Sequence, residues 1–131
     1  MLEIAKNNRY KLLCDQERNR MFITIEGLWK TKDGYLEDLK EACEQMATGF
    51  TIHVDLTSMK PCGDEIGSVH VAAQKILMDY GLAHTAEVQA DRAILRMSVA
   101  KYSDNSGMKK RVFLTHAEAE RWLDSLQSVS T

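Results

Sequence analysis

The chain has 131 residues, a length that suits one domain able to bury roughly two-thirds of its unfolded surface. Hydrophobic residues make up 44% and charged residues 27%, ordinary values for a soluble globular protein, and the formal net charge is −2. That balance supplies no long-range attraction for nucleic acid or acidic membranes, so neither is an expected partner.

No apolar run approaches the roughly twenty residues that span a bilayer. The opening residues, MLEIAKNNRYK, lack the apolar core and cleavage site of a secretion signal. Cys14, Cys43 and Cys62 cannot all pair, which points to free thiols in a reducing compartment and hence to the cytoplasm. The one compact basic cluster, Lys109, Lys110 and Arg111, reads as a solvated edge leading into a strand.

Taken in order, Tyr10–Cys14 and Met21–Gly27 are two short strands joined by the charged stretch DQERNR, the pattern of an antiparallel hairpin. In the second strand Met21, Ile23 and Ile25 share one face, and Phe22, Thr24 and Glu26 the other. Lys32-Asp33-Gly34 breaks the pattern and starts a helix. Its stripe is Leu36, Leu39, Cys43 and Met46, flanked by Tyr35 and Ala47, with Gly49 as its terminating glycine. Phe50–Leu56 is the central strand. Asp64 is placed to cap the next helix, whose inner face is Ile66, Val69, Ala73, Ile76, Leu77 and Tyr80, and Gly81 closes it.

His84–Gln89 is a short strand carrying Ala86 and Val88 inward. Asp91 caps a third helix reaching Tyr102, and Ser103–Gly107 is a turn. Arg111–Leu114 is the last strand. Thr115 and Glu118 form a capping box for a final helix with the stripe Ala119, Trp122, Leu123 and Leu126, and the tail QSVST is expected to fray. The order is β-β-α-β-α-β-α-β-α. It predicts an α/β fold with a mixed, mostly parallel sheet of about five strands, four helices and right-handed crossovers. One domain spans 1–131, with its core at about 10–126.

The stretch Thr51–Gly81 is where function is expected, because ligands in open α/β sheets meet the loop at a strand's carboxyl end. Chemistry there is sparse. The four histidines and three cysteines show no C-x-x-C or H-x-x-x-H spacing, so no metal is expected, although His53, Cys62 and His70 lie near the loop. Cys62 precedes a helix start, where a thiol pKa falls, but no second cysteine stands at redox spacing and Pro61 is the chain's sole proline. Phosphate-binding glycine motifs are missing, and Asp64 and Glu65 would repel a phosphate. No serine sits in a G-x-S-x-G elbow. Asp55, Asp64 and Glu65 are explained as a helix cap and solvated loop acids. No cofactor and no catalytic group are expected.

FITIEG, the strand end VDLTSM, the helix end YGL, the strand AEV and the ending VFLTHAEAERWL together resemble the SpoIIAA-like family, over roughly residues 10 to 126. The resemblance implies the STAS fold of anti-sigma-factor antagonists. Signalling members carry a phosphorylatable serine in an Asp-Ser-Ser-Gly-type turn. Here Asp64 and Gly67 match that turn and Glu65 holds the serine position.

The function expected is therefore a non-enzymatic module making protein–protein contacts through Asp55, Thr57, Ser58, Cys62, Gly63, Asp64 and Glu65. The alternative is a small carrier or sensor that holds an apolar or amphipathic ligand between a helix and the sheet, a use that seven methionines suit. An edge left by the first strand, with Leu28 and Trp29 beyond the second, fits a symmetric homodimer; otherwise Trp29 folds back over the core.

Overall fold

Leu2–Lys6 forms a strand, β1, that the sequence does not announce. In the computed structural model it opens a six-stranded sheet whose strands lie in sequence order. The structure describes residues 1–6, 9–26, 34–58, 64–89 and 110–129, without the side chains of 64–70 and 127–129. β1 pairs antiparallel with β2 (Tyr10–Asp15), which pairs antiparallel with β3 (Arg20–Ile25). The expected hairpin is thus present, but its first strand is interior. One edge of the sheet lies at β1, and the core begins before residue 10. β1 is a mostly exposed edge strand with an irregularity between Glu3 and Ala5, held by its ladder rather than by a buried face. This explains its weak apolar signal.

From β3 the chain alternates through α1 (Tyr35–Glu44), β4 (Thr51–Leu56), α2 (Asp64–Asp79) and β5 (His84–Gln89). It ends in β6 (Lys110–Phe113) and α3 (His116–Val129), so helix continues into the expected tail. β3 through β6 are parallel neighbours. The α/β class is as expected, with six strands in place of about five. Three helices are present among the described residues; the expected helix 91–102, the turn 103–107, Leu28 and Trp29 lie outside them.

Right-handed crossovers repeated in one direction place successive helices on the same face. α1 and α2 do share one core with the sheet. Leu39, Ala42 and Cys43 from α1 and Ala73 and Leu77 from α2 pack with Leu12, Met21, Ile23 and Ile52. Ala86, Val88, Ala119 and Leu123 form a second, smaller core around α3, which packs on β4, β5 and β6.

Glycine governs two of the turns. Gly34, at φ 78°, is the N-cap of α1. The helix ends at Glu44, so Gly49 does not terminate it; at φ 90° Gly49 instead donates its N–H to the Gly81 carbonyl at 2.7 Å. Gly81 itself has φ 96°, and a Cβ there would stand 2.7 Å from Thr48 Cγ2. Only glycine meets both demands. Because α2 stops at Asp79, Tyr80 is exposed rather than on the helix's inner face.

Two further expectations are corrected. β5 is buried on both faces: Ala86 and Val88 point one way, while Thr85, Glu87 and Gln89 are equally buried on the other. Lys110 is no solvated edge residue, since its side chain is 10% exposed with Nζ 3.4 Å from Glu87 Oε1. The register that sets Thr85 opposite Lys110 brings this pair together. Among the described residues no helix is long and apolar enough to cross a membrane.

Cys14 and Cys43 are free and buried in the main core. Burial pushes the Cys14 thiol from its ordinary 9.0 up to about 11. Burial, with smaller contributions from Cys14 and Glu44, takes Cys43 to about 12. A raised folded pKa contributes stability that is complete below the unfolded value and lost as pH climbs through the folded one. Denaturant midpoints are therefore expected to fall steadily from pH 9 to pH 11. The slope should shrink in Cys14→Ala compared with the parent chain at matched pH.

Candidate functional site

α3 begins with the capping box read from the sequence. The Glu118 N–H donates to Thr115 Oγ1 at 3.2 Å, and the Thr115 hydroxyl donates to Glu118 Oε1 at 2.9 Å. Helical residues four apart then stack in stripes. Ala119 and Leu123 are wholly buried, with Trp122 and Leu126 partly so, against Ala86, Val88 and Phe113. The neighbouring stripe is polar: His116, Glu120 and Asp124. It meets alternate residues of β3 and β4, whose register puts Arg20, His53 and Asp55 on one face of the sheet.

These groups form one continuous chain. Arg20, with no exposed surface, donates from Nη1 to Glu120 Oε1 and from Nη2 to Asp124 Oδ1, each at 2.9 Å. Arg18 adds a longer contact to the same Glu120 oxygen, at 3.7 Å. The other oxygen, Oε2, lies 2.7 Å from His53 Nδ1. His53 Nε2 lies 2.9 Å from His116 Nδ1. Beyond it, His116 Nε2 is 3.4 Å from Asp55 Oδ2. Asp55 Oδ1 accepts the Thr57 N–H at 2.9 Å and the Thr57 hydroxyl at 2.6 Å, an Asx-type turn that fixes the carboxylate.

Donor and acceptor chemistry orders the protons along this chain. The Glu120 carboxylate only accepts, so His53 Nδ1 carries the proton directed at it. When the pair of rings holds two protons, His53 Nε2 is the acceptor and His116 donates from Nδ1. The outer nitrogen, His116 Nε2, then turns a lone pair toward the Asp55 carboxylate. With three protons the pair carries one positive charge, and every contact from Glu120 to Asp55 joins opposite charges or donor to acceptor. Exposure is uneven along the chain: Arg20 and His53 are buried, Glu120 and Asp55 are partly covered, and His116 is 55% exposed at the carboxyl end of β4.

Of the residues singled out in the sequence, the structure brings Asp55 and Thr57 into this chain. Ser58 is exposed beside them. Cys62 and Gly63 lie outside the described residues, and Asp64 and Glu65 open the α2 backbone without described side chains. Arg20, His116 and Glu120 are functional candidates that the sequence reading missed, and His53 was weighed there only as a metal ligand. On α3 the signal was three polar residues, His116, Glu120 and Asp124, at four-residue spacing beside the apolar stripe. Among the described residues, no three histidine, cysteine or acidic groups converge as a metal cluster.

The two ends of the Arg20 fork are expected to differ in weight. Arg20→Ala leaves Glu120 half-buried and without its main cation, a loss of about 3 kcal/mol in chemical denaturation, the lower end for a broken buried pair. Asp124 is largely exposed, so Asp124→Ala is expected to cost less than about 1 kcal/mol. No protein-family model matches the chain, and no curated protein sequence matches it.

Proposed function

We propose that this chain is a non-enzymatic, STAS-like cytoplasmic module that works by protein–protein contact at the edge where β4 ends and α2 begins. The observation that carries this reading is how firmly that edge is framed. Asp55 and Thr57 are locked to each other, and the exposed His116 ring stands beside them, braced from behind by His53 and Glu120. Side chains already fixed before binding, as Asp55 and Thr57 are, lose little conformational freedom on contact. The alternation of strands and helices after an antiparallel opening agrees with the resemblance to the SpoIIAA-like family, which implies a contact role. A second copy of the chain is one partner that suits the fold, through the outer edge of β1 with Leu2 exposed on it.

A pull-down from the host tests the surface. A partner held by the parent chain is expected to be recovered about tenfold less with Thr57→Ala/Ser58→Ala, and likewise with Asp64→Ala/Glu65→Ala. Undiminished recovery by both variants would remove this edge from the proposal.

A carrier role is the second reading, and a specific observation favours it. Thr85, Glu87 and Gln89 are buried on the face that also carries Ile52, Val54 and Leu56, with Lys110 alongside. Gln89 Nε2 donates to Glu87 Oε2 at 3.2 Å and Lys110 Nζ makes only an ion-pair contact with Glu87, yet Thr85 Oγ1 and Gln89 Oε1 have no hydrogen-bond partner among the described residues. Buried polar atoms left so are costly, and the polar end of an amphipathic molecule would satisfy them. Native mass spectrometry of freshly purified protein would then show a single retained small-molecule mass, diminished in Lys110→Met. A bare chain would sink this reading.

A further inference from the structure

The contact between His116 and Asp55 differs from every other link of its chain. The links from Arg20 to His53 and from His53 to His116 are hydrogen bonds of 2.7–2.9 Å. At 3.4 Å, His116 Nε2 and Asp55 Oδ2 stand beyond the usual N–H···O range. Both present electron pairs to the same small space when the two imidazoles hold two protons between them. Two ligands on one zinc-class ion, at the usual Zn–N and Zn–O lengths and a tetrahedral angle, are about 3.3–3.5 Å apart. The observed separation matches such a ligand-to-ligand distance.

We propose that His116 Nε2 and Asp55 Oδ2 bind a divalent zinc-class cation at the carboxyl end of β4, with water completing its coordination. The rest of the chain supplies what a ligating histidine needs. His116 Nδ1 is engaged by His53, whose own Nδ1 is engaged by Glu120, an arrangement that leaves His116 Nε2 as the nitrogen open to a metal. Asp55 is oriented from its other oxygen by Thr57, leaving Oδ2 for the ion. The exposed position of His116 leaves room for exchangeable water ligands. Two protein ligands make an exchangeable site, not a structural one. Sequence spacing gave no metal motif because the ligands come from β4 and α3, far apart in the chain.

This site goes beyond the contact reading and is tested without any partner, so the two stand or fall separately. Zinc chloride is titrated into the full-length Cys62→Ser chain by calorimetry, that substitution removing a competing thiolate. One equivalent is expected to bind, with affinity falling about tenfold or more in His116→Ala and in Asp55→Asn. Asp124→Asn, an acid on the same helix, should leave it unchanged. In nitrogen-edited spectra zinc should move the His116 Nε2 resonance alone, whereas in His53→Phe, where the tautomer is no longer held, the signal should divide between Nε2 and Nδ1. Zinc binding that is absent, or equally strong in His116→Ala and Asp55→Asn, would overturn the proposal, and the gap would then be closed by a proton alone.

Discussion

A guanidinium with no exposed surface sits at the amino end of β3, and much of the molecule is arranged to satisfy it. Buried charge is tolerated only with close partners of opposite sign, and Arg20 finds Glu120 and Asp124 on α3. The apolar stripe of that helix would bring it to the sheet unaided, but a smooth apolar contact leaves rotation and sliding poorly determined. Ala119 and Leu123 are small or flexible enough to fit more than one register. The fork of Arg20 across Glu120 and Asp124, one helical turn apart, fits a single one. Ion pairs of this kind add little net stability over an apolar replacement. Here their clearest effect is to choose where α3 lies.

That choice propagates. With Glu120 fixed over Arg20, the residue one turn earlier, His116, arrives at the carboxyl end of β4, where Asp55 stands. His53 fills the space between and links the two ends through both ring nitrogens. β4 is thus the divide of the molecule. Its alternate residues Ile52, Val54 and Leu56 face the apolar core with α1 and α2, while Thr51, His53 and Asp55 face α3. The thiols on the apolar side, Cys14 and Cys43, are pushed toward permanent neutrality by the same burial that excludes charge there.

Much of the scaffold was legible in the sequence because alternation and helical stripes report burial on one side. Met21, Ile23 and Ile25 are buried together, the capping box at Thr115 is present, and the α3 stripe packs as read. Legibility ended where burial was two-sided or polar. In β5, Glu87 and Gln89 look like a solvent face, and nothing local distinguishes an acid covered by other elements from one in water. Lys110 misled for the same reason. His53 drew notice only for its place near the loop, and its partners lie more than sixty residues away, so pattern within a window cannot join them. β1 escaped because an edge strand is held by backbone pairing, which leaves little trace in side-chain pattern.

Within the edge first singled out from sequence, Thr51 to Gly81, the described side chain with most contacts to the polar chain is one carboxylate, Asp55. Asp55 joins two systems: the turn through Thr57, which belongs to the exposed loop, and the histidine chain, which belongs to the docking of α3. Where the two imidazoles share two protons, a cation placed between Asp55 and His116 would relieve the meeting of two acceptors, and so favour the docked helix. Linkage makes the effect reciprocal: whatever holds α3 in register also holds His116 where a ligand at the edge can use it. The Arg20 fork at the amino end of β3 and the exposed edge at the carboxyl end of β4 are thus joined through Glu120, His53 and His116.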